Sequence, residues 1–477
     1  MKRLLAAICA IAILFAFVGC GDKKTSTSST TASSTTTTKA YEAMSINGVN
    51  IAEYEIVCDE EGNEYNPRAA AYIQESIKDL TGHTLSIVDD AEASKAHRIV
   101  VGESSCAISA ALDEALEGVE FSMLTQGGSV ALEANYFAIA AAAYYFVDTF
   151  VKAGDNTMAD GLLVREPVQK EAKNFILLIG DGMGVYQTQL FNYLEDTSDY
   201  SDGEKIFYGY MLSYQGFSRT KSYSGVTDSA AGGTALSAGY KTINGYVGLD
   251  KDGSDVKLLT ELAAELGKAT AVMSTESDTG ATPASFSAHA DSRNSSSEII
   301  DDQTALTERL GTIINCRGYT QYAARYLKSN EQRIVDTLNT LNEDSDGFFV
   351  MYEEAQIDKH CHNNDMEKTF LAILSFNQAI ARFMEFAFYH PETMVIITAD
   401  HETGMLYEEA DGTLAYHHDD HTDANVPVFA WGEGTEFFEG NEVENIEIAH
   451  FFASSMGVED FGDKTGGWYN DIYGTQE

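Results

Sequence analysis

The segment SYSGVTDSAAGGTALSAGYK, residues 222–241, contains the first residues that could do chemistry. Asp228 stands directly before Ser229, and the residues that follow the serine are small. A serine hydroxyl is a weak nucleophile until a neighbouring base, or a metal ion, activates it. No histidine, lysine or glutamate lies next to Ser229 in the sequence, so its activation must come from another part of the chain. The alternative role for this serine is a closely packed helix cap.

Candidate metal ligands occur in four other segments. They are Asp181 in LLIGDGMG, Glu353, Asp358 and His362 in EEAQIDKHCH, Asp400 and His401 in TADHE, and His421 in HHDDHTDANVPVFAWG. Asp358 and His362 are four residues apart, so one helical turn would bring both to the same face. Each segment also has a structural alternative. Asp181 could cap a turn, and the Asp358–His362 pair could belong to the solvated start of a helix.

The types of these residues indicate which metals they would bind. Mixed carboxylate and imidazole ligands favour zinc, whereas oxygen-only ligands favour magnesium. Two metal ions together can stabilise the attacking and the leaving oxygen of an in-line displacement at phosphorus. A divalent cation lowers the pKa of bound water from about 15.7 to about 7, and a serine hydroxyl should respond similarly. A metal cluster could therefore activate Ser229 without a base, and the positive end of a helix there would favour a phosphate.

Apolar runs typical of buried strands position several of these residues. NFILLIG precedes Asp181, GFFVMYEE contains Glu353, and MVIITA precedes Asp400. Helical stretches such as DVKLLTELAAELG and EKTFLAILSFNQAIARFMEFAFY alternate with the strands. This alternation predicts an α/β fold over residues 173–477, with a mostly parallel sheet sandwiched by helices. Ligands bind at the carboxyl ends of the strands in such sheets, which is where these three carboxylates are expected.

The N-terminal residues predict export. Residues 1–19 have the basic start and apolar run of a signal peptide. The ending FVGC resembles a bacterial lipobox, which predicts that Cys20 is lipidated; an uncleaved anchor is the alternative. Residues 20–45 are rich in serine and threonine and are expected to form a flexible tether. The chain is therefore expected outside the cytoplasm, held to the cell membrane by a lipid.

Residues 46–165 are predicted to form a small accessory α+β domain that precedes the main sheet. IQESIKDL has helical spacing, HRIVVG is a buried-strand run, and EFSMLTQGGSVALEA indicates a hairpin. The motifs LTGHTLSI and IVVGES, with the hairpin and the following helix, resemble the N-terminal domain of α-glucuronidases and hexosaminidases. The resemblance implies a packing role, with glycan binding as the alternative.

Charge and cysteine content exclude several classes of protein. Thirty Lys+Arg against 74 Asp+Glu give a formal net charge of −44, which repels nucleic acid and anionic lipid headgroups. A small anionic substrate is not excluded, because bound metal ions reverse the local charge. The cysteines after Cys20 match neither a zinc finger nor a dense disulfide scaffold. One disulfide is compatible with them and none is required.

Six motifs across residues 173–477 resemble those of the alkaline phosphatase family. In order they are GDGMG, VTDSAAGGTALSAG, TGATPASFSAHADSR, EEAQIDKHCH, TADHETG and HTDANVPVFAWG. The resemblance implies that Ser229 accepts the phosphate and that Arg293 binds the phosphate oxygens. It implies one zinc ion held by Asp358, His362 and His421, and a second held by Asp181, Asp400 and His401. It implies a magnesium ion held by Asp181, Thr282 and Glu353.

Two departures from the family pattern concern the third metal and the site's surroundings. Family members often have Asp or His two residues before the threonine of the TP pair, where this chain has Gly280, although Lys359 is kept after Asp358. The segment between Arg293 and Gly347 is shorter than in many relatives and lacks their glycine-rich strand; it is predicted to be helical and to lie near the mouth of the site. His289 matches a residue that is not a ligand, so a structural role is expected for it.

The resemblance implies hydrolysis of small phosphate monoesters through a phosphoserine. The first alternative is hydrolysis of phosphodiesters or sulfate esters on the same scaffold. A non-catalytic surface lipoprotein that captures phosphate or glycans is an alternative from another class. Contact with the membrane is expected only through the lipid, nucleic acid is not an expected partner, and a homodimer is compatible with the resemblance.

Overall fold

The computed structural model describes residues 45–58, 63–109, 118–152, 159–190, 215–317 and 324–474, together with Leu112 and Leu116. Its α-helices are α1 (Asn66–Thr81), α2 (Ile139–Phe146), α3 (Val185–Thr188), α4 (Ser229–Ala238), α5 (Leu259–Glu265), α6 (Ala281–Ser285), α7 (Ser296–Leu310), α8 (Ala324–Leu341), α9 (Gln356–Cys361), α10 (Met366–Tyr389), α11 (Asn445–Ser455) and α12 (Gly467–Tyr473). The signal peptide, Cys20 and almost all of the tether lie outside the described residues.

The strands complete the description. They are β1 (Ser45–Ile46), β2 (Val49–Asn50), β3 (Tyr54–Val57), β4 (Ile87–Val88), β5 (His97–Val101), β6 (Phe121–Gln126), β7 (Ser129–Ala134), β8 (Gly161–Arg165), β9 (Asn174–Gly180), β10 (Gln215–Arg219), β11 (Ala269–Ser274), β12 (Ile313–Cys316), β13 (Phe348–Glu354), β14 (Thr393–Thr398), β15 (Glu402–Thr403), β16 (Leu406–Glu408), β17 (Leu414–Tyr416), β18 (His421–Thr422), β19 (Val426–Trp431) and β20 (Glu442–Glu444).

The larger sheet has eight strands in the order β12-β11-β13-β9-β14-β19-β10-β20. The strands from β12 to β14 are parallel, and β19 runs antiparallel to both of its neighbours. All seven residues of β9 are buried because helices cover both faces. Alternate residues point to opposite faces, so Ile176 packs in one apolar cluster with α8 and α10, and Leu177 in another with α5 and α11. The predicted α/β fold is thereby confirmed.

The segment after Arg293 is not wholly helical as predicted. Between α7 and α8 the chain adds β12, which pairs in parallel with β11 at the edge of the sheet. The run IINC is too short for its apolar periodicity to separate a strand from a helix, which explains the error.

A second sheet has six strands in the order β4-β3-β5-β7-β6-β8. The predicted hairpin around Gly127 and Gly128 joins β6 and β7. Helices α1 and α2 lie between this sheet and α10, and one apolar cluster runs through all of them. Phe137 and Phe388 meet there with ring centroids 5.5 Å apart. The division into an accessory and a catalytic domain stays a prediction.

No helix in the described ranges combines the length and the apolar character needed to cross a membrane. The cysteines in these ranges, Cys58, Cys106, Cys316 and Cys361, are free thiols.

Replacing Phe376 with alanine should reduce the free energy of unfolding by about 3–5 kcal/mol, because a fully buried ring of α10 would leave a cavity against Tyr352. Chemical denaturation measures the loss. Phe437→Ala is the matched control, because Phe437 is 44% exposed and should cost much less. Equal losses in the two variants would contradict this description of the core.

Candidate active site

The carboxyl ends of three adjacent parallel strands bring the predicted ligands to one edge of the sheet. Ile179 of β9 pairs with Glu353 of β13 on one side and with Thr398 of β14 on the other. Asp181 follows β9 and Asp400 follows β14, so the three carboxylates leave the sheet at the same level. The site therefore lies where ligands bind in parallel sheets.

Asp358, His362 and His421 form the first group of donors. His362 Nε2 lies 3.2 Å from His421 Nε2 and 3.3 Å from Asp358 Oδ1. His421 Nε2 lies 3.6 Å from the same Asp358 oxygen. Ligands placed tetrahedrally about 2.0–2.1 Å from a zinc ion are separated by about 3.3 Å. These three atoms therefore fit three corners of a zinc site, although Asp420 also lies within reach of the two histidines.

Asp181, Asp400 and His401 form the second group. His401 Nε2 lies 3.3 Å from Asp400 Oδ2 and 3.6 Å from Asp181 Oδ1. Ser229 Oγ lies 3.3 Å from the same ring nitrogen. Asp181 Oδ1 and Asp400 Oδ2 are buried and accept no hydrogen bond from the described residues. Unpaired buried oxygens are costly, and a cation among these atoms would satisfy them.

The Nδ1 atom of each of the three candidate ligand histidines has a hydrogen-bond partner. His362 Nδ1 lies 2.7 Å from the carbonyl oxygen of Asp419, and His421 Nδ1 lies 2.9 Å from that of Thr227. His401 Nδ1 lies 3.2 Å from Thr403 Oγ1, which donates a 2.6 Å hydrogen bond to Asp358 Oδ1. With Nδ1 as donor, each neutral ring presents the lone pair of Nε2 to its group. Ligand histidines are oriented in this way.

Asp181, Thr282 and Glu353 are the oxygen donors predicted for a third group, and the Asp181 and Glu353 carboxylates interact electrostatically. Thr282 and Glu353 are fully buried, and Thr282 Oγ1 and Glu353 Oε1 are unpaired among the described residues. Glu353 Oε2 accepts a hydrogen bond from Ser274 Oγ. Oxygen atoms alone are the donors that magnesium prefers. The residues present therefore fit the metal that the resemblance implies.

Burial has opposite effects on the acids and the imidazole of this cluster. It raises the pKa of Asp400 to about 7, with a further contribution from the Asp358 carboxylate. Burial, and then the charge of Asp400, raises the pKa of Asp181 well above its usual value. Burial, together with His421 and Arg293, lowers the pKa of His401 well below its usual value. His401 is therefore neutral, as a metal ligand must be.

Ser229 is the first residue of α4, and Asp228 forms the N-cap of this helix. Asp228 Oδ1 accepts a 3.0 Å hydrogen bond from the backbone N–H of Ala231. Its Oδ2 accepts hydrogen bonds from Gly245 N at 3.0 Å and from Arg293 Nη1 at 3.1 Å. One carboxylate thus fixes both the helix start that carries Ser229 and the guanidinium of Arg293.

Two glycines allow this close assembly. A Cβ on Gly182, where φ is +73°, would lie 2.8 Å from the Cα of Asp358. A Cβ on Gly232 of α4 would lie 3.0 Å from the backbone oxygen of Asp400. Only glycine lets Asp181 and the Ser229 helix approach the ligands so closely.

Sequence reasoning missed Thr403 and the full function of Asp228. The signal for Thr403 is its place two residues after His401 in TADHETG, which puts both side chains on one side of an extended chain. His289 lies apart from the ligand groups, as expected. It bonds Asp302 Oδ2 and the carbonyl oxygen of Val256, each at 3.0 Å.

The sequence model of the family described as alkaline phosphatase matches residues 172–317 and 327–410. Alkaline phosphatase 3 of Bacillus subtilis (strain 168) is 34% identical over 295 residues, which cover 51% of this chain and 64% of that protein. Alkaline phosphatase 4 of the same bacterium is 28% identical, covering 52% of this chain and 65% of that protein. The chain thus spans just under two thirds of these curated relatives.

Solved structures agree with the sequence matches. The alkaline phosphatase from the Antarctic bacterium TAB5 superposes with a TM-score of 0.53 at 28% identity, covering 61% of this chain and 99% of that one. A cold-active enzyme from Shewanella sp. shares the fold at 20% identity, with a TM-score of 0.52. The family match contains every candidate ligand described above except His421. By its sequence and its fold, the chain belongs to the alkaline phosphatase family.

Proposed function

We propose that this protein hydrolyses phosphate monoesters, with Ser229 as the nucleophile. The observation that carries the proposal is the 3.3 Å approach of Ser229 Oγ to His401 Nε2, the atom on which Asp181 and Asp400 converge. Phosphoester hydrolysis is the activity of the relatives that the chain matches along residues 172–410. The phosphoserine intermediate and the metal content go beyond this general activity and are also part of the proposal.

The three donor groups would hold two zinc ions and one magnesium ion. The first zinc site is assigned to Asp358, His362 and His421, and the second to Asp181, Asp400 and His401. Magnesium is assigned to Asp181, Thr282 and Glu353. A structure of a histidine-to-aspartate variant of the TAB5 enzyme has Mg bound in its M3 site, which supports a magnesium site in this family. When bound, such ions supply Lewis acidity and lower the pKa of a coordinated hydroxyl.

The side chains of this chain then have distinct tasks. Ser229 Oγ forms a bond to phosphorus while the bond from phosphorus to the leaving oxygen breaks. The serine proton passes to solvent, and the leaving oxygen takes one up. Water then cleaves the phosphoserine, which releases phosphate and restores the serine. The start of α4 contributes backbone N–H groups and a positive dipole end near the phosphoryl group.

Arg293 is assigned to the non-bridging phosphate oxygens. Its planar guanidinium suits bidentate binding of a phosphoryl group, and its 3.1 Å bond to Asp228 fixes its orientation. A monoester leaves several free oxygens for this contact, whereas a diester has one fewer. Arg293 therefore favours monoesters over diesters. A sulfate ester carries less charge, so a cationic site stabilises it less.

Export and lipid anchoring through Cys20 remain proposals supported by the N-terminal sequence. The homodimer likewise stays a prediction from the resemblance. A non-catalytic phosphate- or glycan-binding lipoprotein is the weaker alternative, because such a protein would have no need of Ser229 beside the donor groups.

Replacing Ser229 with alanine should reduce turnover of p-nitrophenyl phosphate by about 10³-fold or more, because the attacking oxygen is removed. Ser237→Ala is the matched control, because Ser237 is buried in the same helix and, among the residues that the structure describes, its hydroxyl donates only to the carbonyl oxygen of Thr234. Acid quenching with ³²P-labelled substrate should trap label on the wild type alone. Unchanged turnover in Ser229→Ala would rule out the phosphoserine.

The wild type should turn over p-nitrophenyl phosphate faster than bis-p-nitrophenyl phosphate or p-nitrophenyl sulfate. Faster turnover of the diester or of the sulfate ester would identify the alternative activity.

Thr403→Val should weaken zinc binding by about 10- to 100-fold, because it removes the hydroxyl that links His401 to Asp358. Competition with a chromogenic chelator measures the affinity. Thr413→Val, in the exposed β16–β17 turn, makes the same change away from the ligands and should leave zinc affinity as in the wild type. Equal affinities in both variants would mean that Thr403 does not orient its neighbours.

The stability of the chelated protein should fall as pH rises from 5 to 8. The pKa of Asp400 lies near 7 in the fold and near 4 in the unfolded chain, so its stabilising effect is complete below pH 4 and lost by pH 7. Melting temperatures in EDTA at pH 5 and pH 8 test this. Asp400→Asn lacks this group, and its melting temperature should fall less over the same range. The same fall in both proteins would assign the effect to other charges.

A further inference from the structure

The third donor group has an additional residue beside it that the family motifs do not contain. The chain has Gly280 where many relatives have Asp or His. A Cβ built on Gly280 would lie 1.8 Å from Oε1 of Glu276 and 2.3 Å from its Cδ. The Glu276 carboxylate therefore fills the space that a side chain at position 280 would occupy.

Glu276 is held in this place by contacts at both ends. Its Oε2 forms a 2.6 Å ion pair with Nζ of Lys359, the residue that follows Asp358. Its backbone N–H donates a 2.9 Å hydrogen bond to Ser274 Oγ, and that hydroxyl in turn donates to Glu353. The side chain is only 18% exposed. A charge-assisted bond and a neighbour shared with Glu353 thus fix its position.

Glu276 Oε1 accepts no hydrogen bond from any residue in the described ranges, so it is available to a ligand. The neighbouring group already has two fully buried, unpaired oxygens, Thr282 Oγ1 and Glu353 Oε1. Thr282 lies in α6, which begins directly after Gly280. The Glu276 carboxylate lies near enough to this group to interact electrostatically with it, because it contributes to the raised pKa of both Glu353 and Asp181.

We propose that Glu276 completes the third metal site of this protein, in place of the missing side chain at position 280. This inference rests on the magnesium assignment made under the proposed function. Magnesium keeps several of its waters and binds through few carboxylates, so Oε1 can act on the ion directly or through a bound water. Lys359 is then a positioning residue, because it neutralises Oε2 and leaves Oε1 for the metal. A carboxylate here, in contrast to a histidine, selects magnesium over zinc.

Magnesium binding to the zinc-loaded protein, measured by isothermal titration calorimetry with MgCl₂, tests this inference without any substrate. Glu276→Ala should weaken magnesium binding by about 10- to 100-fold, the usual cost of losing a supporting residue of a metal site. Glu308→Ala removes an exposed carboxylate from α7 and should bind magnesium like the wild type.

A rescue variant separates a metal-site role from a merely structural one. Glu276→Ala combined with Gly280→Asp should recover most of the lost affinity, because the new carboxylate enters the vacated space. Gly280 has φ −57° at the N-cap of α6, where aspartate is well tolerated. Gly280→Asp alone should bind magnesium more weakly than the double variant, because Glu276 blocks the space.

Wild-type magnesium affinity in Glu276→Ala, no magnesium binding by the wild type, or no recovery in the double variant would each overturn the inference. A different measurement shows whether the proposed function itself fails. It would appear as absent turnover of p-nitrophenyl phosphate by the wild type, whatever the calorimetry gives.

Discussion

The burial of several carboxylates at one edge of the sheet is the constraint on which the rest of this structure depends. Asp181, Glu353 and Asp400 leave adjacent strands at one level, and each is almost completely removed from water. Charges in such a place are stable only when they are paired or bound to metal ions. Burial, and then the nearby Asp358 carboxylate, raises the pKa of Asp400 to about 7, so without metal ions this acid tends to hold a proton. The described side chains around these acids do not neutralise them, so this part of the fold favours the binding of cations.

The sheet can hold these three acids close together because its centre is tightly packed and closed to water. Both faces of β9 are covered, so the strand ends cannot move apart without exposing apolar side chains. The second sheet adds to this, because α1 and α2 pack on α10, which in turn covers β13 and β9. Arg382 of α10 is buried and forms ion pairs with Glu64, Glu331 and Glu385, which join α10 to α8 and to the start of α1. The N-terminal part therefore supports the layer beneath the site.

The sequence alone predicted the features that depend on patterns of neighbouring residues. Apolar runs ending in Asp181 and Asp400 predicted the central strands, and the carboxyl-end rule predicted that their acids would converge. The proposed role of Glu276 could not be predicted in this way, because it depends on how the turn that carries Glu276 folds back over Gly280. Thr403 was missed since its hydroxyl matters only once His401 and Asp358, far apart in the chain, are side by side. Strand β12 was missed because four residues are too few to show a period.

The overall charge of −44 is compatible with the proposed phosphate substrate only if the local charge at the site is positive. Asp181, Glu353, Asp358 and Asp400 contribute −4 when ionised, so the metal-free site would repel a phosphate dianion even with Arg293 beside it. The three proposed divalent ions would contribute +6 and leave the cluster at +2 before Arg293 is counted. Glu276 and Lys359 cancel each other and do not alter this balance. On the proposed function, metal binding and substrate binding would therefore be coupled by electrostatics, and the acidic surface would disfavour polyanions that cannot reach the cationic centre.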